Sequence, residues 1–328
     1  MLKSLSLLFT GLSLSAAWAA SNEVFFSLPI DCLGKNCQIV KYLDQEPGPK
    51  ARDYRCGLLS SERYEGTSFA VRDMEDVKAG VNVLAAASGV VASVRDGLED
   101  VAVTTPAEME KIADKYCGNV VVIKHGSWDT SYCHLKNGSI TVKAGDNVQE
   151  GQKIGLIGMS GMVDYPNLRF IVRYRNRLSD PFLGNSGSMW CKEGNVPLWK
   201  KEALAQLPYS PVAIVNAGFA DKPPQLMDSR LGKYRNFSLS TDAGQMVVWV
   251  ETRGLSKADF IEFKITDPDG KEILKKSQVL DNSVPEWFGV SGLNKTQGSW
   301  PKGTYVGEIS IKHPPFADVK TRFEMVVK

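Results

Sequence analysis

The amino-acid sequence predicts an all-β protein with one short helix inserted between two strands. Short runs rich in β-branched residues, such as residues 89–94 and 118–125, recur through both halves of the chain and favour strands. Glycines recur between these runs, which is typical of tight turns. The length of 328 residues favours two domains, and the content of 43% hydrophobic and 23% charged residues excludes wholesale disorder.

The first element along the chain is a targeting segment. Residues 1–20 contain the early Lys3, a short apolar run and the sequence Ala17-Trp18-Ala19, which fits the small-residue cleavage pattern of a secretory signal peptide. Neither this run nor any later one is long enough to cross a bilayer, so we expect no membrane span. A net charge of +2 gives no reason to expect nucleic-acid binding. We therefore predict a periplasmic protein.

The rest of the chain divides into four segments by composition. We predict a lead-in, a first β domain, a connector with a short helix, and a second β domain at residues 21–63, 64–181, 182–210 and 211–328. The inserted helix is predicted after Thr105, which can cap it, with Pro106 in its first turn. We expect Met109, Ile112 and Ala113 to form its apolar face.

Residues 211–328 read as an immunoglobulin-like β-sandwich. Strand-like runs such as residues 245–254 and 260–266 alternate with turn sequences such as residues 267–270. This half contains no cysteine, so the inter-sheet disulfide of antibody domains is absent.

Six cysteines are an even number in a chain predicted to be secreted, and we expect them to be oxidised. Cys32 and Cys37 bracket a short turn, which predicts a local disulfide between them. The pairing of the others stays open; they are Cys56, Cys117, Cys133 and Cys191. A thiolate metal site is disfavoured because no C-x-x-C pair occurs.

Two segments carry a family resemblance. Residues 77–94 and 118–161 combine glycine turns, the sequence Tyr132-Cys133-His134-Leu135 and the repeat V-x-x-G-x-x-I-G-x-x-G-x-S-G, which ends at Gly161. Together with the later Asp180-Pro181-Phe182, this pattern resembles the M23 (LytM or lysostaphin-like) peptidoglycan endopeptidases. The resemblance implies a LytM-type β-sheet/barrel-sandwich hybrid fold.

The resemblance also implies a metal site, and here its positions are changed. In the family, zinc is held by the His and Asp of H-x-G-x-D and by the last His of H-x-H. Tyr64 and Ser68 stand at the first two ligand positions, and Arg169 stands at the third. Asn167 replaces a catalytic His, so His134 is the one family catalytic position that is retained.

These substitutions predict loss of the family's chemistry. Neutral hydroxyl groups are poor zinc ligands, and a guanidinium is a permanent cation that repels the metal. We therefore expect no cofactor and no hydrolysis, with His134 inactive or simply a hydrogen-bonded strand residue. Another metal site could be built from His134, Glu65, Asp73 and Asp164. No two of these residues, however, have the sequence spacing of a known ligand motif such as H-E-x-x-H. The alternative is an active zinc-dependent endopeptidase.

The strand that carries Arg169 suggests a different role for the groove. Alternation along residues 167–173 places Asn167, Arg169, Ile171 and Arg173 on the groove face. With Tyr132, which we expect on the same face as His134, the arginines would form a cationic, aromatic groove for carboxylates. The expected partner is peptidoglycan or a periplasmic murein hydrolase such as an amidase. The alternative for the strand is an ordinary solvated strand end. The alternative for the protein is a structural envelope protein that works through its C-terminal domain.

Overall fold

The computed structural model describes residues 24–184 and 196–328. The predicted signal peptide and Cys191 lie outside these residues. No helix within the described ranges is long and apolar enough to cross a membrane.

Most of the N-terminal region is built from antiparallel strands. Its elements, in chain order, are β1 (Cys37–Lys41), β2 (Thr67–Val71), α1 (Met74–Ala79), β3 (Asn82–Leu84), β4 (Gly89–Arg95), α2 (Pro106–Lys111), a 3-10 helix (Ala113–Lys115), β5 (Asn119–His125), β6 (Trp128–Leu135), β7 (Asn147–Val148), β8 (Lys153–Leu156), β9 (Asn167–Tyr174), β10 (Arg177–Ser179) and α3 (Lys201–Leu204). The main sheet has the order β1-β2-β9-β6-β5-β4-β7, β10 pairs with β9, and β3 pairs with β8 in a separate ribbon.

Local sequence explains the tight connection between β5 and β6. His125 pairs with Trp128, which leaves a turn of only Gly126 and Ser127. Gly126 has a φ of 69°, a conformation that glycine adopts without steric cost and that hairpin turns of this length require. The turn therefore fixes the register in which β6 crosses the sheet.

The C-terminal region contains two sheets around a second core. Its elements are β11 (Ala213–Ala220), α4 (Leu226–Arg230), β12 (Ser238–Leu239), β13 (Gln245–Leu255), β14 (Phe260–Thr266), β15 (Glu272–Val279), β16 (Val284–Asn294), β17 (Gly303–Lys312) and β18 (Val319–Val327). One sheet has the order β11-β13-β16 and the other β12-β18-β17-β14-β15. Apolar residues from both sheets, including Val248 and Ile309, share one buried cluster. The chain is thus all-β, as the sequence predicts.

Helix α2 begins where the sequence predicts but does not bury an apolar face. Thr105 accepts a hydrogen bond from the Glu108 amide, and the Glu108 side chain accepts one from the Thr105 amide, which completes a capping box. No residue of this helix is buried, and Met109 is 41% exposed. The predicted apolar face is therefore not buried within α2: Met109 is exposed, and Ile112 and Ala113 lie beyond the last residue of the helix, which is held by its cap.

Disulfides tie the N-terminal region together. A disulfide joins Cys32 to Cys37, the pair that brackets the predicted turn, and a second joins Cys117 to Cys133. Cys56 is also disulfide-bonded, and no cysteine in the described ranges has a free thiol.

The two regions are packed against each other. Ala213 and Val215 of β11 belong to the hydrophobic core of the N-terminal region. Arg235 forms ion pairs with Asp73 and Asp76 at the start of α1. The C-terminal sheets therefore lie against the edge of the N-terminal sheet near β1 and β2.

Candidate functional site

Strand register brings the sequence-predicted site residues together. Ser68 of β2 lies directly opposite Arg169 of β9, and Arg169 lies opposite Cys133 of β6. His134 follows Cys133 at once. Residues opposite one another on neighbouring strands have Cβ atoms about 5 Å apart, so their side chains can touch.

Tyr64, Ser68 and Asn167 form a hydrogen-bonded chain. The Tyr64 hydroxyl bonds the Ser68 hydroxyl, which donates to Asn167 Oδ1 at 3.0 Å. Asn167 Nδ2 donates to the Tyr165 carbonyl oxygen at 2.9 Å. Gly66, with a φ of 95°, lies so close to the Phe170 backbone that only glycine fits.

Arg169 and His134 are in direct contact. Arg169 Nε and Nη2 lie 3.1 and 2.8 Å from His134 Nε2. His134 Nδ1 lies 2.7 Å from the carbonyl oxygen of Ser160. Burial, with the nearby charge of Arg169, lowers the pKa of His134 well below its ordinary value, so the imidazole is neutral.

Tyr132 does not line this site, contrary to the sequence prediction. Its side chain is fully buried in the core, and its hydroxyl accepts a hydrogen bond from the Ala86 amide at 2.7 Å. The reason is that His134 has a φ of 65°, which breaks the alternation of β6. Tyr132 and His134 therefore point to different sides although they are two residues apart.

The carboxylates near the site form ion pairs with arginines. Glu65 pairs with Arg173 at 2.9 Å, so the predicted pair of groove arginines is reduced to Arg169. Asp164 pairs with Arg230, and Asp73 pairs with Arg235. Within residues 24–184 and 196–328, no group of three His, Cys, Asp or Glu side chains could hold a metal ion.

Lys41 is a site residue that the sequence did not indicate. It lies opposite Ser68, on the other side from Arg169, and its Nζ is 5.1 Å from the centre of the Tyr64 ring. Burial, followed by the charge of Arg253, lowers the pKa of Lys41 to about 8. Only the pairing of β1 with β2 brings it here, and no local motif could have revealed that pairing.

Two tyrosines complete the surroundings of Arg169. Its guanidinium carbon lies 5.3 Å from the ring centre of Tyr64 and 5.6 Å from that of Tyr116, within the range of cation–π contacts. Tyr116 is 39% exposed, whereas Arg169 is only 8% exposed. We call Lys41, Tyr64, Tyr116 and Arg169 the basic pocket.

The donors at these positions do not fit a zinc ion. Catalytic zinc takes three protein N, O or S ligands and keeps an open position for water. Here the hydroxyls of Tyr64 and Ser68 bond each other, and the guanidinium of Arg169 occupies the Nε2 lone pair of His134. The arrangement suits hydrogen bonding to an anion better than coordination of a cation.

Comparisons with known proteins find similarity to one family over part of the chain. Residues 72–181 match the family model described as Peptidase family M23, a segment that includes His134, Asn167 and Arg169 and begins after Tyr64 and Ser68. A 66-residue segment is 47% identical to the peptidoglycan DD-endopeptidase ShyB of Vibrio cholerae, over 20% of this chain and 15% of that protein. A 64-residue segment is 39% identical to the cell division protein DipM of Caulobacter vibrioides, over 19% and 10%.

Among solved structures, a zinc-containing peptidase from Vibrio cholerae is 31% identical, with a TM-score of 0.33 over 48% of this chain and 39% of that one. The matched segments span 10–15% of the length of the curated relatives named above. The match to peptidase family M23 thus covers residues 72–181, about a third of the chain.

Proposed function

We propose that this chain is a non-hydrolytic M23-family protein of the periplasm that binds peptidoglycan or a murein hydrolase and contributes to cell-wall remodelling. The observation that carries the proposal is the contact between Arg169 and His134. In this contact a permanent cation, at the position where the resemblance implies the third ligand, occupies the one imidazole of the site.

The chemistry of hydrolysis supports this proposal. A bound zinc lowers the pKa of its water and polarises the scissile carbonyl. A lone general acid or base contributes only about 10²–10⁴-fold to a rate. His134 is neutral, with Nδ1 against a carbonyl and Nε2 against a guanidinium, so it has no free position from which to move a proton.

The relatives support the choice of partner. ShyB is a peptidoglycan DD-endopeptidase, and DipM is a cell division protein. A domain that keeps the family fold without its ligand set can keep affinity for cell-wall material or for the enzymes that act on it. Periplasmic localisation follows from the predicted signal peptide and suits the disulfides.

The test combines metal content with murein release. We expect the purified mature protein to contain less than about 0.1 zinc per chain after dialysis at neutral pH, since its donor set suits the metal poorly. We also expect no soluble fragments from purified sacculi. One tightly held zinc together with chelator-sensitive release would favour the active endopeptidase instead.

A matched variant tests the assignment of the positions. Combining Tyr64→His, Ser68→Asp, Asn167→His and Arg169→His restores the family's ligands and catalytic His, and we expect this variant to bind zinc. Thermal unfolding with and without zinc measures the gain, because a metal that binds only the folded state raises the melting temperature. A properly folded variant without this shift would count against the assignment.

A further inference from the structure

The basic pocket holds more positive charge than the nearby carboxylates of the described residues offset, although Asp164 acts on Lys41 at longer range. Asp164 is paired with Arg230, and Glu65 is paired with Arg173. Neither Lys41 nor Arg169 forms an ion pair in the described ranges. Cations are almost never buried without a partner, because removing them from water is costly.

The orientation of Arg169 leaves one edge of its guanidinium available. Its Nε and Nη2 groups face His134, which is neutral and brings no negative charge. Nη1 has no hydrogen-bond acceptor among the described residues. An arginine presents paired N–H groups that match a carboxylate, so this remaining edge is a ready donor for an anion.

Lys41 can reach the same anion. Lys41, Ser68 and Arg169 form one row across three neighbouring strands, so their side chains emerge on the same face. Lys41 and Arg169 both contact the ring of Tyr64. Tyr64 therefore lies beside both cations and limits how far each can move.

We propose that the basic pocket binds one terminal carboxylate of a peptidoglycan stem peptide, with Arg169 and Lys41 as its two cationic partners. This inference rests on the proposed function and names the ligand of that site. A single carboxylate fits better than an acidic protein segment, because the positive charge is confined to one point. The next arginine along the face, Arg173, is already neutralised by Glu65.

The experiment is calorimetric titration of the mature protein with a purified disaccharide-tetrapeptide muropeptide. The reference ligand is the same muropeptide with its carboxyl groups amidated. The variants are Arg169→Gln and Lys41→Gln, with Arg175→Gln as a matched control on an exposed arginine of the adjacent turn. Titrations at about pH 7 keep the Lys41 ammonium mostly charged, since its pKa is about 8.

We expect each pocket variant to weaken binding of the free-acid muropeptide by about 10- to 100-fold, the range for a hydrogen bond to a charged group. Arg175→Gln should change affinity by less than about twofold, as expected for an exposed charge. The amidated muropeptide should bind weakly to every protein. Thermal unfolding of each variant, and the charge-retaining Arg169→Lys, separate lost binding from lost folding.

Three kinds of result would contradict the proposal that the basic pocket binds a terminal carboxylate. The first is undiminished muropeptide affinity in folded Arg169→Gln and Lys41→Gln; sacculus binding that persists there would leave the proposed function standing. The second is equal affinity for the amidated muropeptide, or no binding of the free acid. The third is an oligoglutamate peptide that outcompetes the muropeptide and depends on the same two residues, which would assign the pocket to a protein partner.

Discussion

The contact between Arg169 and His134 determines the protonation state of the imidazole. The Ser160 carbonyl can only accept a hydrogen bond, so Nδ1 must carry the proton. The Arg169 guanidinium can only donate, so Nε2 must keep its lone pair. A second proton on His134 would set two donors against each other beside a fixed positive charge.

This arrangement predicts how His134 titrates. We expect its ring nitrogens to keep the neutral, Nδ1-protonated form at pH values where an ordinary imidazole becomes charged, because burial and Arg169 lower its pKa well below the ordinary value. Nitrogen-15 NMR of histidine-labelled protein measures this directly. The urea-unfolded chain is the control, where every histidine should titrate near its ordinary value of about 6.5. A charged imidazole at about pH 6 would refute the assignment.

The same shift has a consequence for stability. Below about pH 6.5 the unfolded chain binds a proton at His134 that the folded chain does not. The contribution of His134 to the free energy of unfolding is therefore complete above that pH and is lost as pH falls. The slope is at most about 1.4 kcal/mol of unfolding free energy per pH unit. Asp180, whose pKa burial raises to about 7, gives a slope of opposite sign between about pH 4 and 7. The difference between wild type and His134→Gln therefore isolates the histidine.

At the scale of elements, the Cys117–Cys133 disulfide connects strand β6 to the loop that carries Tyr116. Cys133 lies on β6 opposite Arg169, and Cys117 follows Tyr116, whose ring contacts the Arg169 guanidinium. The His134 amide donates to the Cys117 carbonyl at 2.9 Å. The disulfide thus holds Tyr116 beside Arg169 in the basic pocket.

Removing this disulfide should cost more than removing the shorter one. The sequence separation is 16 for Cys117–Cys133 and 5 for Cys32–Cys37, and the stabilisation from cross-linking grows with loop length. We expect the double Cys→Ala change at 117 and 133 to lower the free energy of unfolding by about 2–4 kcal/mol. The change at Cys32 and Cys37 should lower it by about 1 kcal/mol less. Denaturant unfolding of both variants measures the difference, and the reverse order would contradict the argument.

Local sequence patterns predicted the strands and turns well, but they could not predict contacts between strands that are distant in the sequence. Strands and turns follow from side-chain alternation and glycine, and these depend on near neighbours in the sequence. The predicted position of Tyr132 was wrong because one positive φ at His134 breaks the side-chain alternation on which the prediction relied. Lys41 was missed because only the long-range pairing of β1 with β2 brings it to Ser68.

Over the whole molecule, a buried charge cluster joins the two regions close to the pocket. Arg230 is 2% exposed and pairs with the buried Glu251 of β13 and with Asp164, which precedes β9. The guanidinium of Arg253 lies 4.8 Å from the ring centre of Tyr165, the next residue after Asp164. The C-terminal sheet therefore holds the loop that leads into Asn167 and the site.

Arg230→Ala should accordingly destabilise the whole chain. The change leaves Glu251 buried with one fewer cation and removes the link to Asp164, and breaking a buried ion pair in this way costs about 3–5 kcal/mol. The control is Lys233→Ala: Lys233 lies just beyond α4, is 59% exposed and pairs with Asp228. Loss of such a surface pair should cost less than about 1 kcal/mol. Denaturant unfolding compares the two variants, and equal losses would mean that the cluster does not join the regions. Since Arg230 also anchors the loop before Asn167, the Arg230 variant should show faster amide hydrogen exchange in residues 162–165, while Lys233→Ala leaves that segment unchanged.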